Sequence, residues 1–583
     1  MRPWRNRQTR TFEGRMGNTV RVQVPLVAPK KELSNLESSI FMYKITDCSQ
    51  MHWNECGIIK DNRLCERAEK RRMKQMLKFM GSRMFITGML ILLQIGWLLI
   101  WFLRLTQYAH WISIVFTALS AVIAMYIINK NENPAYKLAW ILAISIFPAL
   151  GGLLYLSVGN KRPSKKMRLK LEREQNRRLN LHVQNAELLE QLKAEDPRAA
   201  STFRYVWEKG RYPVWNNTET RYYSVGEDLF RAMLEALERA EHYIFLEYFI
   251  LAEGTMWSQI LEILERKVRE GVEVRVIYDD FGCLGYIPTG YTLALEKKGI
   301  KCIGFNPFVP VVSAVMNNRD HRKIMVIDGH VGFSGGVNIG DEYINEKVRF
   351  GHWKDTGFRL EGDGVWNLTL MFLEMWNGLR PTDETFEAFY PHRYHDEEFK
   401  TDGFVQPFCD SPLDDETLAE NVYMEILAQA TDYVYIFTPY LVIDNEMQTA
   451  LCTAAKRGVD VRLVTPGIPD KKMVFRLTRS YYEDLLEAGV RIYEYTPGFL
   501  HAKSYVCDDK LAVVGTINMD YRSLYLHFEC GTLFYKSGLV RQLKEDALHV
   551  MEASCEIEPE QFKNRGLISG MGNAILRVLA PLL

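Results

Sequence analysis

The sequence predicts an α/β protein built from two tandem copies of one domain behind an N-terminal transmembrane helical anchor. Three observations predict it. Short apolar strands alternate with amphipathic helices from about residue 215 onward. One such run recurs after about 190 residues. Uncharged stretches long enough to cross a bilayer precede both copies. With 583 residues, 47% of them apolar, the chain has material for two or three cores and is too large for a single small binding module. Its 72 basic and 72 acidic residues cancel, which removes the global positive field of a nucleic-acid binder. Ten cysteines show neither C-x-x-C pairs nor zinc-ligand spacing. They read as reduced thiols of a cytoplasmic body.

Residues 1–72 are polar, rich in Arg and Lys, and without sustained apolar period, so no fold is expected of them. The run Trp4 to Pro25 reads like the translation of a transfer-RNA gene, which places the expected natural start at Met73, Met76, Met80 or Met84. The anchor is expected within 73–160, as three apolar stretches at 84–103, 111–128 and 138–157. The first has the roughly 20 uncharged residues that a bilayer-crossing helix needs, and Pro148, Gly151 and Gly152 should bend or interrupt the third. Basic clusters flank the anchor on both sides, Arg63 to Lys78 before it and Lys161 to Lys170 after it. Both sides therefore favour the cytoplasm, and three full spans cannot satisfy that. Either one stretch is re-entrant or interfacial, or a later start removes the first cluster. In both cases the C-terminal body is cytoplasmic, held close to anionic headgroups by the second cluster. Residues 161–214 read as a charged connector on the cytoplasmic surface.

The two copies are expected at 215–395 and 396–583. Helix Leu229 to His242, strand Tyr243 to Phe249, helix Met256 to Glu270 and strand Val272 to Tyr278 form one run. Helix Leu418 to Ala430, strand Tyr433 to Phe437, helix Glu446 to Arg457 and strand Val459 to Val464 repeat it. Each copy carries H-x-K-x-x-x-x-D, as His321, Lys323 and Asp328 and again as His501, Lys503 and Asp508. Asn338 and Asn518 each follow their histidine by 17 residues. Two chance copies of the three-residue motif would occur in on the order of one chain in a thousand of this size. The residues between Lys and Asp make each motif a buried strand, in which period two puts His and Lys on one face.

Two such strands related by a pseudo-twofold axis would surround one substrate with two imidazoles and two ammonium groups. That set suits a phosphodiester. One neutral imidazole attacks phosphorus, the other as imidazolium protonates the leaving oxygen, and the lysines neutralise the non-bridging oxygens. The chemistry needs no metal and no cofactor, and no cluster in the sequence suggests a metal ligand set.

With G-x-x-N after each motif, the chain resembles the phospholipase D superfamily over about residues 215–583. Within it the chain is similar to bacterial cardiolipin synthases, through its apolar N-terminal anchor, Glu247-Tyr248-Phe249, the run Asn318 to Lys323, Thr438-Pro439-Tyr440 and the ending Pro581-Leu582-Leu583. The resemblance implies a multi-pass protein of the bacterial cell membrane that takes phosphatidylglycerol and membrane phospholipid, not nucleic acid, as partner. It implies transfer of a phosphatidyl group between two phosphatidylglycerol molecules, giving cardiolipin and glycerol through a phosphatidyl-histidine. His321 would attack and His501 would act as acid and base, an assignment that symmetry makes reversible. Asp355 and Glu529 would orient the histidines, with Asn338 and Asn518 at the substrate. Asp328 and Asp508, part of the motif, would brace the local fold. Gly336 stands where the second copy has Thr516, so a hydroxyl contact to phosphate is in doubt in the first half.

Other signals have plainer readings. Ten of the twelve histidines lack the motif context and are assigned no role. Asp279 and Asp280 end a strand, where a carboxylate more often caps the next turn than lines a pocket. The Gly332, Gly335, Gly336 and Gly340 series lacks the spacing of a nucleotide-binding loop.

Overall fold

The computed structural model describes residues 110–582 except 160–162, 180, 182, 309–316, 396–397 and 563–566, together with 89, 92–97, 99–101 and 103. The expectations for residues 1–72, for the start of the chain and for much of 84–103 lie outside the described residues. The second apolar stretch forms α1 (His110–Asn129), and the third divides into α2 (Pro134–Ile146) and α3 (Pro148–Val158). Asn133 starts α2 by accepting the Ala135 amide, with Pro134 in the first turn. The break after Ile146 falls at the expected proline, because Pro148 has no N–H to continue the α2 ladder. At 13 and 11 residues, α2 and α3 are about 20 and 16 Å long, well short of the ~30 Å of a bilayer core. Among the described residues no helix is long and apolar enough to cross a membrane. The three helices pack together around Ile123, Ile127, Trp140, Ile144 and Tyr155.

The connector is drawn further into the body than its charges suggest. It folds into helices, beginning with α4 (Lys165–Arg178), and Leu171, Leu192, Ala199, Ala200 and Phe203 are buried in the main core. Leu188, Leu189 and Leu192 recur at helical spacing, and this apolar stripe outweighs the charges around it. One methyl of Leu171 lies where a side chain on Gly378 would have to go, so α4 docks closely on α5 (Val365–Leu379).

The catalytic body is built on two sheets of the same topology. The first contains β1 (Thr218–Tyr223), β2 (Tyr243–Tyr248), β3 (Glu273–Asp279), β4 (Lys301–Phe305), β5 (Lys323–Ile327) and β6 (Val331–Gly335). A short strand, β7 (His352–Lys354), stands apart from it, and β8 (Gly357–Gly362) completes it in the order β1-β8-β6-β5-β2-β3-β4. The second contains β9 (Phe404–Asp410), β10 (Tyr433–Phe437), β12 (Asp460–Pro466), β13 (Arg491–Tyr495), β15 (Ser504–Cys507), β16 (Leu511–Gly515), β18 (Glu529–Tyr535) and β19 (Cys555–Glu556). The short strands β11 (Leu441–Val442), β14 (Gly498–Leu500) and β17 (Met519–Asp520) lie outside it. Its order, β19-β13-β12-β10-β15-β16-β18-β9, repeats the first with one added edge strand. In each, three parallel strands (β2, β3, β4; β10, β12, β13) adjoin an antiparallel set led by the motif strand, β5 or β15. Parallel strands are buried on both faces, and β2 and β10 are buried along their whole length.

The halves interlock. β14 of the second pairs with β7 of the first, and one hydrophobic cluster runs from Phe245, Ile324 and Phe358 to Tyr435, Val506 and Phe534. The motif aspartates secure each sheet from within. Asp328 accepts the amides of Glu241, His242 and Tyr243, each at 2.8 Å. Asp508 does the same for Thr431, Asp432 and Tyr433. Both adopt left-handed backbone, φ 50°, a conformation in which aspartate is several-fold enriched. Replacing Asp328 with Ala strands three amides, two of them only part-buried. Thermal or denaturant unfolding should show a loss of about 2–4 kcal/mol, with Asp328→Asn less damaging.

Candidate active site

His321 and His501 lie just ahead of their strands, which begin at Lys323 and Ser504. They are fixed there by the opposite half. The His321 amide donates to the Phe528 carbonyl (2.9 Å) and the His501 amide to the Lys354 carbonyl (2.7 Å). The side chains repeat the exchange. His321 Nδ1 meets both oxygens of Glu529 at 2.8 and 2.9 Å, and His501 Nδ1 meets Asp355 Oδ2 at 2.7 Å. Each histidine is therefore braced by the carboxylate at the edge of the other sheet. An Nδ1–H donated to a carboxylate leaves the lone pair on Nε2.

The lysines curl back, so that each Nζ donates to the carbonyl of its own histidine. The four side chains His321, Lys323, His501 and Lys503 are all buried. Burial pushes His321 down to about 3 and His501 to about 4, against the pull of their carboxylates. Burial likewise lowers Lys323 to about 8 and Lys503 to about 7. Glu529 goes the other way. Burial would raise it, but His321 and His527 hold its carboxyl well below the usual range. His501 and Lys503 do the same for Asp355. At neutral pH the site therefore presents two neutral imidazoles, two ionised carboxylates and two lysines near the midpoint of titration.

The two braces are unequal. A Cβ at Gly336 would lie 2.0 Å from Asp355 Oδ1, so the missing side chain makes room for the shorter carboxylate. On the other side the Thr516 hydroxyl donates to Glu529. The Thr516 hydroxyl thus supports the brace of His321, a support the first half lacks because Gly336 has no hydroxyl. Asn338 takes the Ile250 amide (3.0 Å) and donates to the Tyr343 hydroxyl (2.9 Å), so it shapes the wall beside Phe249, whose ring edge meets His321 at 4.9 Å. Asn518 is buried with no partner for Oδ1. Asp328 and Asp508 do not join the site, since strands β5 and β15 separate them from it. Asp279 accepts the amides of Phe281, Gly282 and Asp320, and so supports both its own turn and the run leading into the motif.

Residues outside the motifs also join the site. His527, two positions before Glu529, has its ring 5.7 Å from that of His321 and Nδ1 3.6 Å from Glu529. The second spacing is an ion-pair distance rather than a close hydrogen bond. Trp353 takes the matching position beside His501, at 5.4 Å. His527 lies in the bend just before β18, where no strand period applies, so nothing in the sequence singled it out. Arg322 turns away from the histidines into a buried pairing with Glu247 and Asp320. Among the described residues His321, His527 and Glu529 form a group able to hold a metal ion, their donor atoms within 4.8 Å of one another. A cation there would take His321 Nδ1 from its carboxylate. Behind this group lies an acidic cavity of about 860 Å³ whose lining includes His527, Asp410 and Glu420; burial raises both of those carboxyls to about 8.

Residues 233–348 and 423–551 match the family model described as "Cardiolipin synthase, PLD-like domain", and 118–160 match a phospholipase D-nuclease N-terminal model. A cardiolipin synthase of Alkalihalophilus pseudofirmus is 35% identical over 477 residues, which is 81% of this chain and 94% of that protein. The chain belongs to the cardiolipin synthase family. Cardiolipin synthase 2 of Bacillus cereus is 36% identical over 80% of this chain and 91% of its own length. An uncharacterized protein of Streptococcus mutans is 44% identical over 79% and 99%. The first family match begins within the first α/β half and the second within the other, so this member of the cardiolipin synthase family carries the domain twice.

Two outcomes follow from the braces. Gly336→Ala should displace Asp355 and reduce kcat/KM by about 10²-fold or more, whereas Thr516→Val, which leaves Glu529 in place, should cost about tenfold or less. A pH profile of kcat/KM should fall on its alkaline side between about 7 and 8 as the lysines lose charge. The lysine contribution is fully present below those values and is lost as pH rises through them. In kcat the limb should move higher, since a bound phosphodiester anion favours the charged lysines.

Proposed function

We propose that the protein joins two phosphatidylglycerol molecules into cardiolipin and releases glycerol, working from the cytoplasmic side of the bacterial cell membrane with the N-terminal helices as its membrane anchor. The observation that carries this reading is the crossed pairing of His321 with Glu529 and His501 with Asp355. It holds two neutral imidazoles at the boundary between the halves, each with a lysine two residues on, and Lys323 of one half lies close enough to act on His501 and Lys503 of the other. Cardiolipin as the product is supported by the cardiolipin synthases that this chain matches over most of their length.

In the first step His321 Nε2 attacks phosphorus and the bond from phosphorus to the glycerol oxygen breaks. His501, as imidazolium, gives its proton to that oxygen, and glycerol leaves. A phosphatidyl-His321 remains, with His501 neutral. In the second step His501 takes the proton of a hydroxyl on the incoming phosphatidylglycerol, its oxygen bonds to phosphorus and the P–N bond to His321 breaks. Protons and charges return to their starting places. Imidazolium is disfavoured in the empty site, so the phosphate anion itself must raise the pKa of His501 as it binds. Lys323 and Lys503 neutralise the equatorial oxygens as charge develops. The symmetry of the braces supports the reversed assignment equally well. The balanced net charge argues against nucleic acid as the substrate.

Purified full-length protein in vesicles of phosphatidylglycerol should yield cardiolipin and free glycerol in equal amounts. His321→Ala and His501→Ala should each lower the rate by about 10³-fold or more. Quenched in neutral detergent denaturant, which spares the acid-labile P–N bond, His501→Ala should retain a phosphatidyl adduct on His321, while an adduct on His501 in His321→Ala would reverse the assignment. Phosphatidic acid in place of cardiolipin would make water the acceptor and the protein a lipase.

A further inference from the structure

The C-terminal helix α12 (Leu567–Leu579) is amphipathic in an unusual sense, because its apolar side chains are not all turned inward. Met571, Ile575 and Leu579 follow one another at four-residue spacing and are 60%, 59% and 41% exposed. Residues four apart share one face of a helix, so these three form a continuous outward stripe. The opposite side holds the helix to the body. Leu576 packs on the main core, and Arg577 pairs with Asp484 at 3.0 Å. The helix also lies against α2, from the far end of the chain. There Leu138, Leu142 and Ile146 repeat the pattern at 53%, 37% and 66% exposure. A monomeric soluble surface seldom gathers six large apolar side chains on two touching helices.

The border of this patch is basic. Helix α10 (Lys472–Ser480) packs on α12 and turns Lys471, Lys472, Met473 and Arg476 outward. Met473 is 54% exposed, and Arg476 reaches back to Asn573 on α12. The three neighbouring cations Lys471, Lys472 and Arg476 give the border a sign as well as a polarity. An apolar stripe fringed by lysine and arginine matches a surface that is oily beneath and negative at its rim.

We propose that the paired stripes of α2 and α12, bordered by Lys471, Lys472 and Arg476, form a docking surface for an anionic lipid bilayer. Met571, Ile575 and Leu579 enter the boundary between headgroups and acyl chains, and the cations meet lipid phosphates. The inference rests on the reading that the substrates are bilayer lipids. It adds that the C-terminal end of the body, and not the N-terminal anchor alone, touches the membrane.

The test follows the depth of single positions in the full-length protein, since the N-terminal apolar stretches alone could carry the chain to a vesicle. An environment-sensitive fluorophore is attached to Ile575→Cys and, as a solvent-side reference, to Glu545→Cys on the distant helix α11 (Gly538–Glu552). Unsubstituted protein labelled identically supplies the background. In vesicles of phosphatidylglycerol and phosphatidylcholine, the label at 575 should shift to the blue and be quenched by lipid-borne quenchers, while that at 545 should not. Lys471→Gln, Lys472→Gln and Arg476→Gln together should abolish the preference for phosphatidylglycerol at 575, at about fivefold per charge, the equivalent of ~1 kcal/mol for each basic residue near an anionic surface. A water-like, unquenched label at 575 would overturn the proposal even if cardiolipin is formed. A quenched label in protein that forms no cardiolipin would uphold the docking surface and overturn the proposed reaction.

Discussion

Everything at the centre of this molecule depends on one exchange, in which each half supplies the carboxylate that orients the other half's histidine. Glu529 at the start of β18 holds His321, and Asp355 just before β8 holds His501. Each imidazole finds its carboxylate in the other domain. The tautomer on which nucleophilic chemistry relies is therefore a property of the assembled pair. The backbone repeats the arrangement, since the amides of the two histidines bond to carbonyls across the same boundary. Geometry and protonation are fixed by the same contact.

Burial sharpens that dependence. The histidines, lysines and carboxylates are almost fully withdrawn from water, so each charge is set by its neighbours rather than by solvent. A site in this condition is tuned to receive a negative phosphodiester. In the proposed reaction the anion supplies the field that favours an imidazolium and two ammonium ions together; the lysines start close to neutral pH, and the imidazoles must be raised furthest. Recognition of substrate and preparation for catalysis thus become one electrostatic event.

Much of this was legible in the sequence, and what was not has identifiable causes. His321, Lys323, His501 and Lys503 stood out because a duplicated spacing survives any uncertainty about the fold. Asp355 and Glu529 followed from the family resemblance, but their crossing did not, because offsets along a chain say nothing about which half faces which. His527 was passed over among ten histidines without a motif; its significance arises only when β18 approaches the other half. The difference between Gly336 and Thr516 was visible in the sequence, but that the hydroxyl goes to Glu529 depends on packing across the sheet. The connector at 161–214 misled by composition, since a few leucines at helical spacing decide where such a segment goes while its charges dominate the count. The break at Pro148 was readable because proline acts locally.

The shared core and the crossed braces bear on how such a protein can change over time. Two copies of one domain are ordinarily free to drift apart, one retaining the task while the other acquires something new. Here a separated copy would hold a histidine without its carboxylate and a carboxylate without its histidine, and neither would be a smaller version of the whole. Divergence is channelled into matched trades across the boundary, of which Gly336 with Asp355 against Thr516 with Glu529 is one already made. The fused chain preserves the logic of a symmetric dimer while permitting its two sides to become unequal.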